Sequence, residues 1–114
     1  MAVLSIGAIA KNVNTAIKDL EVSHYDMRFA KPLDDILLHK IFKTHRSIIT
    51  IEDGVINGGF GSAILEFAAQ YAYQNNITLL GVPDKFIEQG TINQLQNIVG
   101  IDAEGIKNEI LKQL

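Results

Sequence analysis

The sequence has no cysteine and no tryptophan, and only two prolines among its 114 residues. The absence of cysteine excludes a disulfide framework, a thiol nucleophile and any metal site built from thiolates. No apolar run approaches the roughly 20 residues that a membrane-spanning helix needs. Ten basic and thirteen acidic residues leave a net charge of −3, which offers no basic surface to nucleic acid or to an anionic membrane.

The remaining composition is that of an ordinary folded domain. Hydrophobic residues make up 47% of the chain and charged residues 20%, so the chain can bury a core and is not expected to be disordered. Its length suits one domain and is too short for two well-buried ones. We therefore expect residues 1–114 to form a single domain, and a disulfide-free domain of this kind suits the cytoplasm.

Apolar runs with strand character alternate with amphipathic segments along the chain. The apolar run at residues 3–9 predicts a buried strand that enters a turn at Gly7 and Ala8. Further strands are predicted at residues 23–29, 47–51 and 77–82, with helices between and after them. One helix is expected to be capped by Asn12, another to open at residues 31–35, and a short one to be capped by Thr91. The helix at residues 63–74 is apolar around most of its circumference and is expected to be the most buried. This alternation predicts a three-layer α/β/α domain with a mainly parallel sheet.

A glycine-rich segment lies between the third predicted strand and the longest helix. Such a loop before a helix N-terminus could bind an anion through free backbone N–H groups, which makes a phosphate or small-ligand site at residues 54–61 one interpretation. Two named motifs fail, however. Ile64 stands where a dinucleotide fingerprint needs its third glycine, and no lysine precedes Ser62 as a Walker A loop requires. Tight turning and close packing of the helix on the sheet is the favoured interpretation.

The strand predicted at residues 23–29 carries an unusual polar face. Because side chains alternate along a strand, His24, Asp26 and Arg28 share one face. A catalytic interpretation would need a nucleophile or cofactor beside them, and the sequence supplies neither. A structural ion pair or a contact with another domain is therefore favoured.

The other chemistry-bearing residues form no self-sufficient active site. His39 and His45 do not have a metal-ligand spacing and are expected to be solvated. Glu52 and Asp53 are adjacent on a strand, so they point to opposite faces and are unsuited to joint acid–base work. Glu66 is the one acid in an apolar helix, and we expect it to find a partner at an interface.

Four segments together resemble the C-terminal domain of the 1-deoxy-D-xylulose-5-phosphate synthase family. The run DMRFAKPLD from Asp26 is similar to that family's DxRFxKPLD, and TIEDGVINGGFGSA from Thr50 to its TVEE(N/H)xxxGGxGSA. The runs GVPDKFIEQGT from Gly81 and GIDAEGI from Gly100 resemble its GxPDxFIx(H/Q)G and GLDxxGI segments. The likeness is collinear over nearly the whole chain.

The resemblance implies a parent enzyme that joins decarboxylated pyruvate to glyceraldehyde 3-phosphate with thiamine diphosphate and Mg²⁺, for isoprenoid, thiamine and pyridoxal synthesis. In that family both cofactors bind outside the C-terminal domain, so no catalytic, cofactor-binding or metal-binding residue is carried over to this chain. Its implied partners are the N-terminal and middle domains of a cytoplasmic homodimer. Residues expected at interfaces or in a structural role are His24, Asp26, Arg28, Lys31, Pro32, Glu52, Gly58, Gly59, Gly61 and Ser62.

The resemblance also implies a transketolase C-terminal-like fold with strand order 2-1-3-4. The family's domain begins with an antiparallel strand before Val3, and without it the second strand would be an open edge, prone to association. One departure concerns Asp53 and Gly54, which stand where the synthases usually have Glu-Asn or Glu-His. The related E1 β-subunits of 2-oxo acid dehydrogenases carry Glu-Gly there, so an E1 relative stays an alternative.

Overall fold

The computed structural model describes residues 1–27, 33–55, 59–82 and 101–114, which form a four-stranded sheet with helices on both faces. The strands are β1 (Ala2–Ile6), β2 (Ser23–Met27), β3 (Ser47–Val55) and β4 (Asn76–Val82). The helices are α1 (Ala10–Ala16), α2 (Asp35–Thr44), α3 (Phe60–Gln70) and α4 (Ala103–Gln113). The helix predicted after Thr91 lies outside the described residues.

The strands are parallel and lie in the order β2-β1-β3-β4. This confirms the three-layer α/β/α architecture and the order 2-1-3-4, with the second strand at one edge of the described sheet. Residues with β-branched side chains dominate β3, whose neighbours on both sides leave it buried at Ile48, Ile49 and Ile51.

Two apolar clusters lie on the two faces of the sheet. The first packs β1 and β3 against α2 and α3, and its largest members include Leu4, Leu38, Ile41, Phe42, Ile48, Phe60, Ile64 and Phe67. The second packs the same strands against α1 and α4, and includes Val3, Ile9, Val13, Ile49, Ile51, Ile101, Ile106 and Ile110. The strand alternation therefore sends successive residues of β3 into opposite cores.

The first strand enters a turn at Gly7, as the apolar run at residues 3–9 predicted. It ends at Ile6, because Gly7 adopts a φ of +83° and residues Gly7–Ile9 form a single 3₁₀ turn. The following helix starts at Ala10 rather than at Asn12. Asn12 is thus not a cap; its Nδ2 donates to the Ile101 carbonyl at 3.1 Å and ties α1 to the last segment.

The second and last helices begin where a carboxylate can cap them. Asp34 accepts from the Leu37 N–H at 3.1 Å, and Asp102 accepts from the Gly105 N–H at 2.9 Å. The helix predicted to open at residues 31–35 therefore starts at Asp35. No helix of the described segments is both long enough and apolar enough to cross a bilayer.

Helix α3 is buried on one side only. Its buried residues are Phe60, Gly61, Ile64, Phe67 and Ala68. It has more buried residues than any other described helix, which confirms the prediction that it is the most buried one, although Leu65 on the opposite side is 43% exposed. Glu66 is exposed on that side as well, and its predicted interface partner stays a prediction.

Candidate functional site

The junction of β3 and α3 lies where a parallel α/β sheet usually binds ligands. The helix after β1 packs on one face of the sheet and the helix after β3 on the other. The chain therefore leaves the carboxyl ends of these two neighbouring strands toward opposite faces of the sheet, which creates a crevice at a topological switch point. The last paired residues of the two strands are Ile6 and Glu52, so Glu52 lies at this crevice.

The Glu52 carboxylate binds the first turn of α3. Its Oε1 accepts from the Phe60 N–H at 3.0 Å, and its Oε2 accepts from the Gly61 N–H at 2.8 Å. The side chain is only 4% exposed. Helix N-termini carry unsatisfied N–H groups and a partial positive charge, and Gly59, the residue before the helix, has no side chain to cap them. Glu52 supplies that cap from eight residues upstream.

Gly61 allows the helix to approach the sheet closely enough for this contact. A Cβ atom at Gly61 would lie 2.9 Å from the Leu79 Cδ2 atom, 2.9 Å from the Thr50 Oγ1 atom and 3.2 Å from the Glu52 Oε2 atom. Such distances are too short for a side chain. At this glycine the structure confirms close packing of the long helix on the sheet.

The Glu52 carboxylate therefore already accepts hydrogen bonds from the N–H groups to which an anion would bind. A phosphate at Phe60 and Gly61 would have to displace Glu52, which weighs against the small-ligand interpretation of this loop. Ser62 is half-buried in the same first turn. Gly58 lies outside the described residues, and the side chain of Asp53 is not described.

On the polar face of β2, the His24 ring forms hydrogen bonds with residues of two neighbouring elements. Its Nε2 lies 2.7 Å from the Ser5 hydroxyl, and its Nδ1 lies 2.8 Å from the Asn14 Oδ1 atom. Because an amide oxygen only accepts, Nδ1 carries a proton and donates to Asn14; in the neutral form of the ring, Nε2 then accepts from the Ser5 hydroxyl. Burial lowers the pKa of the His24 imidazole, and the carboxylate of Asp26 opposes that change.

These hydrogen bonds of His24 join β2 to β1 and α1, and they do not form a reaction centre. Asp26 is exposed on the same face. Arg28, its predicted ion-pair or interface companion, lies outside the described residues, as do Lys31 and Pro32. The sequence reasoning missed Ser5 and Asn14; a lone serine inside the first apolar strand was the signal that could have pointed to a buried polar contact.

Two histidines differ from the expectation that they are solvated, and that expectation was wrong. His39 is half-buried, and its Nδ1 lies 2.7 Å from the Tyr73 hydroxyl. Its ring also contacts Phe67 and Tyr71, with ring centroids 4.9 Å and 4.5 Å away. His45 is half-buried with its Nε2 3.4 Å from the hydroxyl of Tyr25. Aromatic neighbours from other elements cover both rings.

Metal-ligating side chains do not gather in the part of the chain that the structure describes. There, no group of three histidines or carboxylates is placed to hold a metal ion. Glu52 is the one charged side chain among the described residues that is buried, and its oxygens already bind α3. The junction is built to hold a helix on a sheet.

Comparison with known proteins agrees with this architecture. The family profile of the transketolase C-terminal domain matches residues 1–106. The chain belongs to the transketolase C-terminal domain family. A chain of a split-gene transketolase, described as an inactive beta4 tetramer, superposes on this transketolase C-terminal domain with a TM-score of 0.86. It is 25% identical, and the match covers 97% of this chain and 38% of that chain.

Several similar curated proteins are 1-deoxy-D-xylulose-5-phosphate synthases. That of Bacteroides fragilis is 50% identical over 118 residues, which cover 98% of this transketolase C-terminal domain. That of Bacteroides thetaiotaomicron is 45% identical over 119 residues, which cover 99% of it. The chain spans less than a fifth (18%) of the length of either synthase.

Proposed function

We propose that this chain acts as the C-terminal domain of a thiamine diphosphate-dependent 1-deoxy-D-xylulose-5-phosphate synthase. The whole enzyme would convert pyruvate and glyceraldehyde 3-phosphate to 1-deoxy-D-xylulose 5-phosphate and CO₂, in the cytoplasm, for isoprenoid, thiamine and pyridoxal synthesis. The observation that carries the proposal is 50% identity to the Bacteroides fragilis synthase over 98% of the chain.

Within this proposal the domain supports a reaction centre formed elsewhere. The described residues do not suit thiamine diphosphate or Mg²⁺, because they hold no cluster of metal ligands and their buried carboxylate, Glu52, is engaged by α3. We therefore assign both cofactors to other domains of the enzyme and no catalytic step to this chain. Thiamine diphosphate supplies the carbanion chemistry.

The domain's contribution would be a rigid surface for the N-terminal and middle domains of a homodimeric enzyme. A strand and a helix joined at Glu52 and Gly61 hold the crevice in one shape, and the exposed Asp26 offers a charged contact at the sheet edge. The split-gene transketolase chain, of which this fold makes up 38%, is itself described as inactive. That description is consistent with a domain that does not catalyse alone.

Grafting tests the proposal directly. The chain would replace the C-terminal domain of the Bacteroides fragilis synthase, and product formation would be compared with the truncated synthase and with the parent. We expect the graft to recover activity that the truncated enzyme lacks. A matched pair sharpens the result: a graft with Glu66→Ala, on the exposed side of α3, should retain activity, and one with Glu52→Ala should lose it.

Two outcomes would contradict the proposal. One is a folded graft that is no more active than the truncated synthase. The other is turnover of pyruvate, or binding of thiamine diphosphate with Mg²⁺ in calorimetry, by the isolated chain. A titration with inorganic phosphate that shifts the amide resonances of Phe60 and Gly61 would instead favour a small-ligand module at this loop.

A further inference from the structure

Helix α1 depends on contacts from outside the helix. It has seven residues, without a side-chain cap or an acidic residue at its N-terminus and without a basic residue in its last turn. A helix this short is not stable alone in water, so its stability comes from packing and from polar contacts with other elements. Val13 and Ala16 bury its apolar side, and Asn14 forms a polar contact with His24.

His24 lies between this helix and the first strand. Its Nδ1 atom lies 2.8 Å from the Asn14 Oδ1 atom of α1, and its Nε2 atom lies 2.7 Å from the Ser5 hydroxyl of β1. Ser5 is fully buried, and in the described part of the chain this ring is the hydrogen-bond partner of its hydroxyl. The neutral ring satisfies both neighbours, because it donates at Nδ1 and accepts at Nε2.

Protonation changes the match between the ring and Ser5. Both ring nitrogens then donate, so Nε2 presents an N–H to a hydroxyl that can accept it only by turning its own proton to another acceptor. A buried donor without an acceptor is unfavourable, and so is a charge on a half-buried ring. The charged ring is therefore more stable when it turns away from Ser5 into water, and that movement also breaks the contact with Asn14.

We propose that His24 makes the attachment of α1 to the sheet depend on pH: the neutral ring holds the helix, and the protonated ring releases it. Release of α1 would make the core that Val13 and Ala16 share with the sheet accessible to water. This inference goes beyond the proposed function and does not rest on it.

The charged groups around His24 set the direction of the effect. The strand β1 has no titratable side chain, and the one charged residue of α1 is the exposed Lys11. On β2 itself, Asp26 shares the face of His24. Burial lowers the pKa of His24 from its ordinary 6.5, and the Asp26 carboxylate raises that pKa by less. Because the attached state binds fewer protons than the released one, attachment is strongest above pH 6.5 and weakens as the pH falls below it.

Amide hydrogen exchange over a pH series tests the proposal on the 114-residue chain. Exchange rates are divided by the intrinsic rate at each pH, and the protection of α1, including the Ile17 N–H that donates to the Val13 carbonyl, is compared with that of α3. From pH 7 to pH 5 we expect protection in α1 to fall roughly tenfold relative to α3, as suits one unpaired buried donor. His24→Gln, whose side chain does not titrate, should remove this pH dependence.

A serine pair tests the role of the buried hydroxyl. Ser5→Ala removes the group that pairs with the neutral ring, so the pKa of His24, followed by NMR of its Hε1 proton, should rise toward its ordinary value. The loss of α1 protection at low pH should become smaller as well. Ser47→Ala, the same change at the start of β3, should alter neither. This pair also decides the question if His24→Gln does not fold.

The proposal is overturned if protection in α1 is independent of pH, or if His24→Gln keeps the pH dependence. It is also overturned if Ser5→Ala lowers the pKa of His24, because the hydroxyl would then accept from the charged ring as readily as it donates to the neutral one. None of these results bears on the graft in the synthase, so the two proposals can be lost independently.

Discussion

The two ends of α3 are stabilised in opposite ways. At its N-terminus a buried carboxylate from β3, Glu52, accepts the N–H groups of Phe60 and Gly61. At its C-terminus the chain closes on itself: the Tyr73 N–H donates to the Ala68 carbonyl at 2.9 Å and the Ala72 N–H to the Ala69 carbonyl at 3.3 Å. This is the Schellman pattern, in which a left-handed residue ends the helix.

The difference lies in what each end depends on. The N-terminal cap requires the helix to return onto the sheet, because its acceptor is eight residues away and lies on a strand. The C-terminal closure is local, yet it places Ala72 at a φ of +57°, where a Cβ atom is unfavourable and glycine is usual. The N-terminal cap is a charged contact between residues that are remote in sequence. The C-terminal closure joins neighbouring residues and places Ala72 in an unfavourable backbone conformation.

The largest expected effect comes from removing the remote cap. Glu52→Ala leaves two buried N–H groups without an acceptor, and we expect it to lower the free energy of unfolding by about 3 kcal/mol. Urea denaturation measures the change. Glu66→Ala, in the exposed part of the same helix, should stay within about 0.5 kcal/mol; equal losses from both variants would refute the importance of the cap.

The next largest effect is expected from adding a side chain at Gly61, where the N-terminal end of α3 lies close to the sheet. Gly61→Ala places a Cβ atom within 3 Å of both Leu79 and Thr50, and we expect a loss of about 2 kcal/mol from overpacking. Gly7→Ala is the control, because its Cβ would meet nothing within 4 Å and only its positive φ is unfavourable. The prediction is wrong if Gly61→Ala costs no more than Gly7→Ala.

A smaller effect is expected from the polar contact beyond the C-terminus of α3. Tyr73→Phe keeps the aromatic ring but deletes the hydrogen bond to His39, which should cost about 1 kcal/mol in urea denaturation. Tyr71→Phe, at a residue that is 43% exposed, should be nearly neutral. A larger loss from Tyr71→Phe than from Tyr73→Phe would contradict the assignment of this contact.

The smallest effect has the opposite sign. Ala72→Gly relieves the left-handed backbone at the helix end, and we expect it to raise the free energy of unfolding by about 0.5 kcal/mol. Ala69→Gly, at the next-to-last residue of the same helix, should instead lower the free energy of unfolding by about 1 kcal/mol. Thermal unfolding of the pair checks the signs, and destabilisation by both changes would show that the strain at Ala72 is negligible.

Local patterns in the sequence predicted much of the fold. β-branched runs and helical periodicity located the four strands and the helices between them, since those periods follow from backbone geometry. Boundaries were less accurate where a cap was predicted from residue type alone, as for Asn12, because α1 already begins at Ala10. The strand order 2-1-3-4 followed from the family resemblance rather than from any spacing in the chain.

The candidate site was predicted in composition but not in its contacts. The glycine-rich loop at residues 54–61 was singled out as a possible anion site or a close-packing site, and the contacts at Gly61 favour close packing there. No periodicity indicates that the carboxylate of Glu52 turns toward Phe60, because the two are joined by a loop. The histidines were misjudged for a similar reason: the partner of His39, Tyr73, is 34 residues further along the chain.

The amino-acid order by itself determined the alternation of strands and helices and the two-sided burial of β3, because hydrophobic spacing acts over a few residues. Only the tertiary structure decided which polar groups meet: Glu52 with the first turn of α3, and His24 with Ser5 and Asn14. Hydrogen bonds form between groups within about 3 Å, and packing of the sheet and helices sets such distances between residues remote in sequence.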